Sequence, residues 1–526
     1  MKKYNFYLLI IILLSVFLGY TLGSNQNVLF NKYIFSNNNL SKFNILIDYL
    51  SKNYVDEINT DSIVGEVIEN IIGNLDPHST YISKKELQLV SERMEGNFVG
   101  IGISFLMIRD TVAVVNVLDG GPSKKAGILP GDRILTANND TLYNKNLKNE
   151  EIIANLKGKS KSSVNIRVFR KLKSEFIDFK LIRGEVPIKS VIHYKIKENI
   201  GYVKINRFAK TTFDELKKVL ISYKKSNEVD KLILDLRDNP GGYLFAAEKI
   251  LDEFLDEKKI IVITESNSGK KDSVFASKMG VFEKEKVYVL VNGQSASASE
   301  VVAGAIQDND RGLVIGRRTF GKGLVQQQLP LGGGDAIRLT IARYYTPSGR
   351  SIQRSYSNGN EVYYQEIKDR YKSGEMISEN EIPIIDSLAF KTIGGRLVYG
   401  GGGIVPDIYI PSEEKSPEDD WNYFLIRSSI INNFVFSFLD MYREKFNYAN
   451  TKDFIEKPLD EKNLILEKFK KFCNENKIPI DLKEEIIILN SIKAYIGLQL
   501  YNEEVFTQVL NKEDYFMKKT LEIIQN

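Results

Sequence analysis

The spacing of apolar residues changes along the 526-residue chain, and each change predicts a different kind of structure. In residues 38–74, apolar side chains recur at helical spacing, which predicts a helical lead-in. In residues 96–184, short strand-like runs such as 112–118 are separated by Gly, Pro and Asn-Asp turns. This second stretch is therefore predicted to be a small, mostly β module.

The remainder of the chain falls into three parts. After residue 200, strand-like runs (201–205, 231–236, 287–291) alternate with helical ones (213–223, 244–255, 299–306). This alternation predicts an α/β domain with a largely parallel sheet. Residues 354–396 are polar and rich in Tyr, and they predict an irregular insertion. From residue 412 to the end, the pattern is helical and charged.

The first 24 residues carry the membrane signal of the sequence. Lys2 and Lys3 precede residues 4–22, which contain no charged side chain and are rich in Leu and Ile. This length lies between the core of a signal peptide and a short spanning helix of about 20 residues. No A-x-A cleavage pattern follows, so we expect segment 1–24 to be retained as an anchor that leaves the rest of the chain outside. A buried N-terminal helix is the alternative.

Composition and charge exclude several classes of protein. Hydrophobic residues at 43% and charged residues at 27% exclude a disordered or fibrous chain. A net charge of +4 is too weak for a protein that neutralises nucleic-acid phosphates. The single Cys473 and two histidines, His78 and His193, leave no ligand set for zinc ribbons or zincin proteases. We therefore expect no metal or cofactor, and a base other than histidine if the chain is a hydrolase.

Two glycine motifs characterise the β module. Residues 98–103 (FVGIGI) place glycines at the entry of a strand, and residues 126–132 read AGILPGD. Backbone N–H groups at such an entry converge on a carboxylate while the strand edge accepts an extended peptide. In this order the motifs resemble a PDZ domain, whereas a β-sandwich without ligand is the alternative. The resemblance implies a peptide-binding segment of Phe98, Val99, Gly100, Ile101, Gly102 and Ile103.

Two turns in the α/β region are candidates for chemistry. Residues 237–242 (RDNPGG) follow a strand run, where Gly241 and Gly242 could direct N–H groups at an anion, although the same letters fit a tight turn. Residues 295–300 (SASASE) follow another strand run and open a helix. A serine there lies beside a helix N-terminus, but Ser297 and Glu300 also fit a capping box.

Lys322 lies between two glycines in FGKGLVQ. A lysine can deprotonate a serine only if burial lowers the pKa of its amine from about 10.4. Close packing of the flanking glycines against a sheet would provide that burial. An exposed loop lysine is the alternative.

Taken together, the PDZ-like module, LR-x-NPGG, SASASE and FGKG-x-VQ resemble the carboxyl-terminal processing proteases, which are tail-specific serine–lysine peptidases. The resemblance covers about residues 75–407. The family separates nucleophile and base by 25 positions, and this spacing selects Ser297 rather than Ser295 or Ser299 as the partner of Lys322. The roles implied are nucleophile for Ser297, base for Lys322, orientation of the base for Gln326, and oxyanion N–H donors for Ala298 with Gly241 or Gly242.

The resemblance also implies an architecture and a function. We expect an α/β protease core with a crotonase/ClpP-like spiral sheet, a small β-rich PDZ domain, and helical N- and C-terminal segments. The expected boundaries are 1–24 (anchor), 25–85 (helical), 86–186 (PDZ), 187–411 (serine peptidase core with insertion 354–396) and 412–526 (helical). The function is then an endopeptidase of the bacterial cell envelope, held in the inner membrane and facing the periplasm. Its partners are the C-terminal tails of protein substrates, and an adaptor protein or a homodimer is left open.

Two other functions compete with this one. A catalytically silent envelope scaffold would use the PDZ domain and terminal helices only for binding, but it would not need Ser297, Lys322 and Gln326 together. An acyl-CoA enzyme of the crotonase type would share glycine-built oxyanion holes. It would have no use for a PDZ domain or an export signal.

Overall fold

The computed structural model describes residues 38–197, 199–277, 280–412, 425, 428–446, 448, 450–479 and 485–525. The chain divides into two compact units, residues 1–75 and 76–526. In the first unit, helices α1 (Asn38–Asn53) and α2 (Thr60–Gly73) confirm the predicted helical lead-in. The Asn59 side chain caps α2 by accepting from the N–H of Ser62. The predicted anchor 1–24 lies outside the described residues, and none of the helices described is both long and apolar enough for a bilayer crossing.

The second unit contains all described strands and the remaining helices. Its strands are β1 (Thr80–Ile82), β2 (Asn97–Gly100), β3 (Ile103–Met107), β4 (Val112–Val117), β5 (Arg133–Ala137), β6 (Asp140–Thr141), β7 (Ser163–Arg170), β8 (Glu175–Ile182), β9 (Gly184–Pro187), β10 (Val191–Lys197), β11 (Ile200–Ile205), β12 (Lys231–Asp235), β13 (Ile260–Ser266), β14 (Lys271–Phe275), β15 (Lys286–Val291), β16 (Leu313–Gly316), β17 (Leu324–Gly332), β18 (Asp335–Tyr345), β19 (Ala389–Lys391), β20 (Leu397–Tyr399) and β21 (Ile408–Tyr409). Its helices are α3 (Lys84–Glu95), α4 (Pro122–Ala126), α5 (Asn149–Leu156), α6 (Thr212–Ser226), α7 (Leu244–Asp252), α8 (Ala298–Asp308), α9 (Asn360–Lys372), α10 (Ile430–Tyr442), α11 (Thr451–Glu456), α12 (Lys462–Glu475), α13 (Glu485–Leu500), α14 (Glu503–Glu513) and α15 (Tyr515–Gln525).

The β module predicted for residues 96–184 is confirmed. Strands β3, β4, β5, β7 and β8 form one sheet in that order, with β6 beside β5, while β2 pairs separately with β9. Apolar side chains of the sheet and of α5 form a common core that includes Val112, Ile134 and Ile152. Strand β3 is at the edge of the sheet, so one side of its backbone is not paired with any strand in the described part of the chain.

The α/β domain is built on a six-stranded sheet in the order β10-β11-β12-β15-β16-β21. All neighbouring pairs are parallel except β10 with β11, which confirms the prediction of a largely parallel sheet. Alternate residues of one strand enter different cores: Leu232 and Leu234 pack in the core that includes α6, α7 and α8, and Ile233 packs in the core that includes α15. Burial on both faces explains why these strands read as continuous apolar runs.

A second sheet carries the segment that follows the candidate lysine. It has the order β1-β18-β13-β14, with β17 paired to β18. Within the β17–β18 hairpin, Gln326 is opposite Thr340 and Gln328 is opposite Arg338. Strand β1 pairs with β18, so the residues just before β1 lie near the start of β17.

The prediction that residues 354–396 are irregular was wrong for residues 360–372, which form α9, and for the β19–β20 hairpin. The buried residues of α9 are Tyr363 and Arg370, seven positions apart and therefore on one helix face. That face is held by a phenol and a guanidinium rather than by aliphatic side chains. Apolar periodicity could not reveal such a helix.

The C-terminal region is helical as predicted. Helices α10 to α14 enclose their own apolar core, which includes Phe434, Phe469 and Ile492. Helix α15 packs instead against the six-stranded sheet through Phe516, Met517 and Ile524.

Candidate active site

The two candidate turns lie side by side because their strands are neighbours. Strands β12 and β15 are parallel, with Asp235 opposite Leu290, so residues 237–242 and 292–297 leave the same edge of the sheet. Gly241 lies against the serine turn: a Cβ on Gly241 would lie 2.7 Å from the carbonyl oxygen of Ala296 and 2.8 Å from the Cβ of Ser297. Gly241 also has a φ of +99°. Only glycine fits there, on both counts.

Ser297 has an unusual backbone conformation at the N-cap of α8. Its φ of 57° and ψ of −116° lie outside the regions that non-glycine residues favour. Such strain persists only where surrounding contacts impose it, and it is common at functional sites. Ser297 is half-buried, whereas Ser295 and Ser299 are buried and donate to the carbonyl oxygens of Leu236 and Asn239, respectively. Of the three serines, Ser297 is therefore the one that can meet a substrate.

Two backbone N–H groups beside Ser297 are available to an anion. Within the described chain, the N–H groups of Ala298 and Gly242 donate to no protein acceptor. The N–H of Gly241, in contrast, donates to the side-chain oxygen of Asn239 at 2.9 Å. Ala298 is also the first residue of α8, where the helix dipole favours negative charge. This arrangement favours Gly242 over Gly241 as the second donor.

Lys322 is held through a short chain of neutral groups. Its Nζ donates to Oε1 of Gln326 at 2.7 Å, and Nε2 of Gln326 donates to the carbonyl oxygen of His78 at 2.5 Å. Burial lowers the pKa of Lys322 to about 8, and the nearby positive charge of Arg338 contributes in the same direction. The lysine thus meets the condition that a general base requires.

The carboxylate of Glu300 joins the serine turn to the lysine loop. Its Oε2 accepts from the N–H of Ser297 at 2.9 Å and from the N–H of Lys322 at 2.8 Å. Its Oε1 accepts from the hydroxyl of Thr319 at 2.5 Å and from the N–H of Gly321 at 2.7 Å. The two backbone nitrogens cannot be farther apart than the sum of these two hydrogen-bond distances. The backbones of Ser297 and Lys322 are therefore close neighbours.

The hydroxyl of Tyr344 joins the same two segments a second time. Its single proton is shared between two acceptors, the carbonyl oxygen of Ser297 at 3.0 Å and the carbonyl oxygen of Lys322. Tyr344 is buried, and burial raises the pKa of its phenol well above the usual value, so the hydroxyl keeps its proton. The serine turn and the lysine loop are thus fixed to each other by a carboxylate and by a phenol.

Comparison with known proteins matches the parts of the chain that carry this site. Residues 199–359 match peptidase family S41, residues 99–181 match the PDZ domain, and residues 421–502 match a family of unknown function. The chain is 34% identical over 351 residues to the carboxy-terminal-processing protease of Bartonella bacilliformis, covering 65% of this chain and 79% of that protein.

The chain belongs to the carboxy-terminal processing proteases of peptidase family S41. It is also 31% identical over 320 residues to the carboxy-terminal processing protease CtpB of Bacillus subtilis, covering 60% of this chain and 66% of that protein. A solved structure of the photosystem II D1 C-terminal processing protease is similar at 25% identity, with 70% of this chain and 87% of that chain covered and a TM-score of 0.36. The chain is thus a serine-type peptidase with an S41 fold and a PDZ domain.

The sequence analysis gave no role to the turn at residues 76–79 of the peptidase. Asp76 organises this turn by accepting from the N–H groups of His78 and Ser79 and from the Ser79 hydroxyl. The turn presents the carbonyl oxygen of His78 to Gln326, while Nε2 of His78 lies 2.8 Å from the hydroxyl of Tyr363. Burial and the positive charge of Lys322 lower the pKa of His78 to about 3, so the imidazole is neutral. An aspartate two residues before a histidine is a turn signal that the sequence does show. The partner of the His78 carbonyl oxygen, Gln326, is 248 positions away, so the turn signal alone does not reveal that contact.

The predicted peptide-binding segment 98–103 is divided between two strands. Phe98, Val99 and Gly100 belong to β2 and pair with β9, whereas Ile103 begins the edge strand β3. Gly102 has a φ of +81°. A cavity of about 500 Å³ opens beside Phe98 and Val99. It is also lined by residues of α3 and by Ala154, Lys157 and Gly158.

We expect Glu300→Gln to lower the free energy of unfolding by about 2–4 kcal/mol, because a carboxamide offers one acceptor oxygen to four donors that are buried around it. Urea denaturation at pH 7 measures this change. Glu248→Gln is the matched control: Glu248 is half-buried on α7, and burial raises the pKa of its carboxyl. A change within about 0.5 kcal/mol is expected for the control, and equal losses in both variants would contradict the connecting role of Glu300.

Proposed function

We propose that this peptidase recognises the C-terminal tails of proteins in the bacterial cell envelope and cleaves them with a dyad of Ser297 and Lys322. The observation that carries the proposal is the shared carboxylate oxygen of Glu300, which bonds to the N–H groups of both residues. The backbone of a half-buried serine at a helix N-terminus therefore lies close to the backbone of a lysine with a lowered pKa. Nucleophile, base and oxyanion donors are then all present in one place.

The first half of the reaction follows from these roles. Neutral Lys322 removes the proton from the hydroxyl of Ser297 while Oγ forms a bond to the scissile carbonyl carbon. The carbonyl oxygen becomes an oxyanion, which accepts from the N–H groups of Ala298 and Gly242. The ammonium of Lys322 then gives its proton to the leaving nitrogen, the peptide C–N bond breaks, and an acyl-enzyme ester remains.

The second half repeats these steps with water. Lys322, neutral again, takes a proton from a water molecule as the water oxygen attacks the ester carbonyl. The same two N–H groups donate to the second oxyanion. The proton returns from Lys322 to Oγ of Ser297 as the ester bond breaks, which releases the new carboxyl terminus and restores the enzyme. Gln326 orients the lysine amine throughout through its 2.7 Å hydrogen bond.

Tail recognition is proposed for the PDZ domain. The unpaired edge of β3 can accept an extended peptide as an added strand, and the N–H groups of residues 101–103 lie at the start of that edge. The terminal carboxylate of the peptide would accept from these N–H groups, and the side chain of the last peptide residue would enter an adjacent apolar space. We assign the PDZ domain to residues 86–186, the peptidase core to 187–411 and the helical region to 412–526.

The envelope location is proposed from the sequence of residues 1–24 and from the family. Two lysines followed by the uncharged, Leu- and Ile-rich stretch 4–22 are typical of an export signal or an anchor. The relatives named above are bacterial carboxy-terminal processing proteases. The proposed substrate is then a protein of the same compartment that has an accessible C-terminal tail.

We expect Ser297→Ala and Lys322→Ala each to lower kcat for an unstructured protein substrate by about a thousandfold or more, since nucleophile and base act as one unit. The double variant should be no slower than either single variant by more than a few-fold. Ser268→Ala, an exposed serine in the β13–β14 turn, is the matched control. Substantial turnover by Ser297→Ala would overturn the dyad. A wild-type protein without measurable peptidase activity would also overturn it.

We expect kcat/KM to rise as the pH rises through about 8, because Lys322 is protonated and inactive below the pKa and neutral above it. The slope on the acid side should be about tenfold per pH unit. His78→Gln and His193→Gln should keep the same midpoint, since neither imidazole takes part in proton transfer. Steady-state rates between pH 6 and 9.5 give the profile. A midpoint that moves with His78→Gln would show a different base.

We expect a peptide with a free C-terminal carboxylate to be cleaved with a kcat/KM about 5- to 150-fold higher than the same peptide ending in an amide, because the amide leaves N–H donors of residues 101–103 partly unpaired. Both peptides carry the same scissile bond, so any difference arises at the tail. Equal cleavage of the two peptides would disprove tail recognition while leaving the dyad intact.

A further inference from the structure

The C-terminal helices contact the PDZ domain on the sheet face that points away from its own core. Phe436 of α10 is 1% exposed and packs with Ala113 and Val115 of β4. One turn further along α10, the carboxylate of Asp440 pairs with Arg133 at 2.9 Å and with Lys171 at 2.8 Å. The guanidinium of Arg133 also lies 5.3 Å from the ring centre of Phe436. Apolar burial and two ion pairs thus act at one contact.

The same helical region contacts the peptidase core at its other end. Asp514, between α14 and α15, pairs with Arg237 at 2.6 Å, and Asn511 of α14 donates to the hydroxyl of Tyr194 at 2.8 Å. Phe516 of α15 packs on the six-stranded sheet and lies beneath the guanidinium of Arg237 at 4.6 Å. Arg237 is the first residue of the turn that ends at Gly242.

These two ends belong to one packed body. The apolar core of α10 to α14 includes Phe434, Val435 and Phe438 from α10, the helix that contacts the PDZ domain. It also includes Val505 and Val509 from α14, the helix whose Asn511 contacts the peptidase core. Close packing transmits displacements instead of absorbing them. A shift of the PDZ domain would therefore be opposed by the contacts at Arg237. A shift of the turn at Arg237 would likewise be opposed by the contacts on the PDZ domain.

We propose that residues 428–525 act as a brace that fixes the PDZ domain relative to the peptidase core and so presents a bound tail to the active site. The first part of this brace, residues 428–502, lies within the match to a family of unknown function, and residues 503–525 lie outside that match. The brace has two sets of contacts, Phe436 and Asp440 on the PDZ domain and Asn511, Asp514 and Phe516 on the core. The second set ends on the turn that carries the oxyanion donor Gly242.

Restraint of the PDZ domain by the brace needs no assumption about catalysis. The effect of the brace on cleavage rests on the tail recognition proposed above: a free PDZ domain would still bind the tail but would present the scissile segment in many orientations, so the advantage of a tail would be lost. A peptide ending in an amide gains nothing from the PDZ domain and should be insensitive to the brace.

The test uses the full-length protein and variants on both sides of the contact. Asp440→Asn removes both ion pairs and Arg133→Gln removes one of them, each with little change of shape, and Phe436→Ala removes the apolar contact. Asp453→Asn is the matched control, because Asp453 lies in the same region but pairs with Lys457 four residues along the chain. Hydrogen exchange followed by mass spectrometry reports motion at β4 and at residues 183–190, which connect β8 of the PDZ domain to β10 of the core. In parallel, kcat/KM is measured for the acid and amide peptides.

We expect faster exchange at residues 112–117 and 183–190 in all three variants at the PDZ contact, with no change in Asp453→Asn. The double variant of Asp440→Asn and Arg133→Gln should exchange little faster than Asp440→Asn alone, since Asp440→Asn already removes the ion pair with Arg133. For the acid peptide we expect kcat/KM to fall about 5- to 10-fold, and for the amide peptide less than about twofold.

Three results would overturn the brace. Unchanged exchange at residues 112–117 and 183–190 in Asp440→Asn and Phe436→Ala would show that the contact restrains nothing. Faster exchange with equal losses for the acid and amide peptides would show that the region supports the core alone. Equal effects of Asp453→Asn would show general loosening. If wild-type enzyme cleaves acid and amide peptides equally, tail recognition fails, and the exchange data still decide the restraint.

Discussion

The catalytic arrangement depends on one buried carboxylate that accepts four hydrogen bonds. Glu300 belongs to the helix that begins after Ser297, the proposed nucleophile, and its donors include three groups from residues 319–322, which belong to a separate loop. Burial raises the pKa of this carboxyl, so desolvating its charge is costly, and the four donors compensate for that cost. The carboxylate thereby sets the separation of Ser297 and Lys322 and holds the serine backbone in a conformation that it would not adopt alone.

The proposed base has a lowered pKa although two acidic groups lie near it. Asp76 and Glu300 each raise the pKa of Lys322, and burial together with Arg338 outweighs them. The direct partner of the amine is the carboxamide of Gln326, which orients Nζ without adding a negative charge. A carboxylate in its place would favour the ammonium form and remove the base. The second hydrogen bond of Gln326, to a backbone carbonyl in the 76–79 turn, fixes which end of the carboxamide faces the lysine.

The insertion and the C-terminal helices support this site from outside it. Arg370 of α9 donates to the carbonyl oxygens of Arg318 and Thr319, at the start of the lysine loop, and Tyr363 of the same helix holds His78. The C-terminal helices reach Arg237, at the start of the oxyanion turn. Both loops of the site are therefore braced at their bases by elements that are not part of the six-stranded sheet.

The sequence by itself determined the fold class, the order of the modules and the candidate nucleophile and base. Periodicity is a local property, so the β module, the parallel strands and the C-terminal helices could be predicted from it. The pairing of Ser297 with Lys322 was predicted instead from the 25-residue spacing of the family that the chain resembles. Only the tertiary structure decided which groups meet across long separations. It gave Glu300 its four donors, engaged the N–H of Gly241 and left that of Gly242 open, and brought His78 to Gln326 and Asp440 to Arg133. These pairings depend on strand order and packing, which no local pattern encodes, and α9 escaped prediction because its buried face is polar.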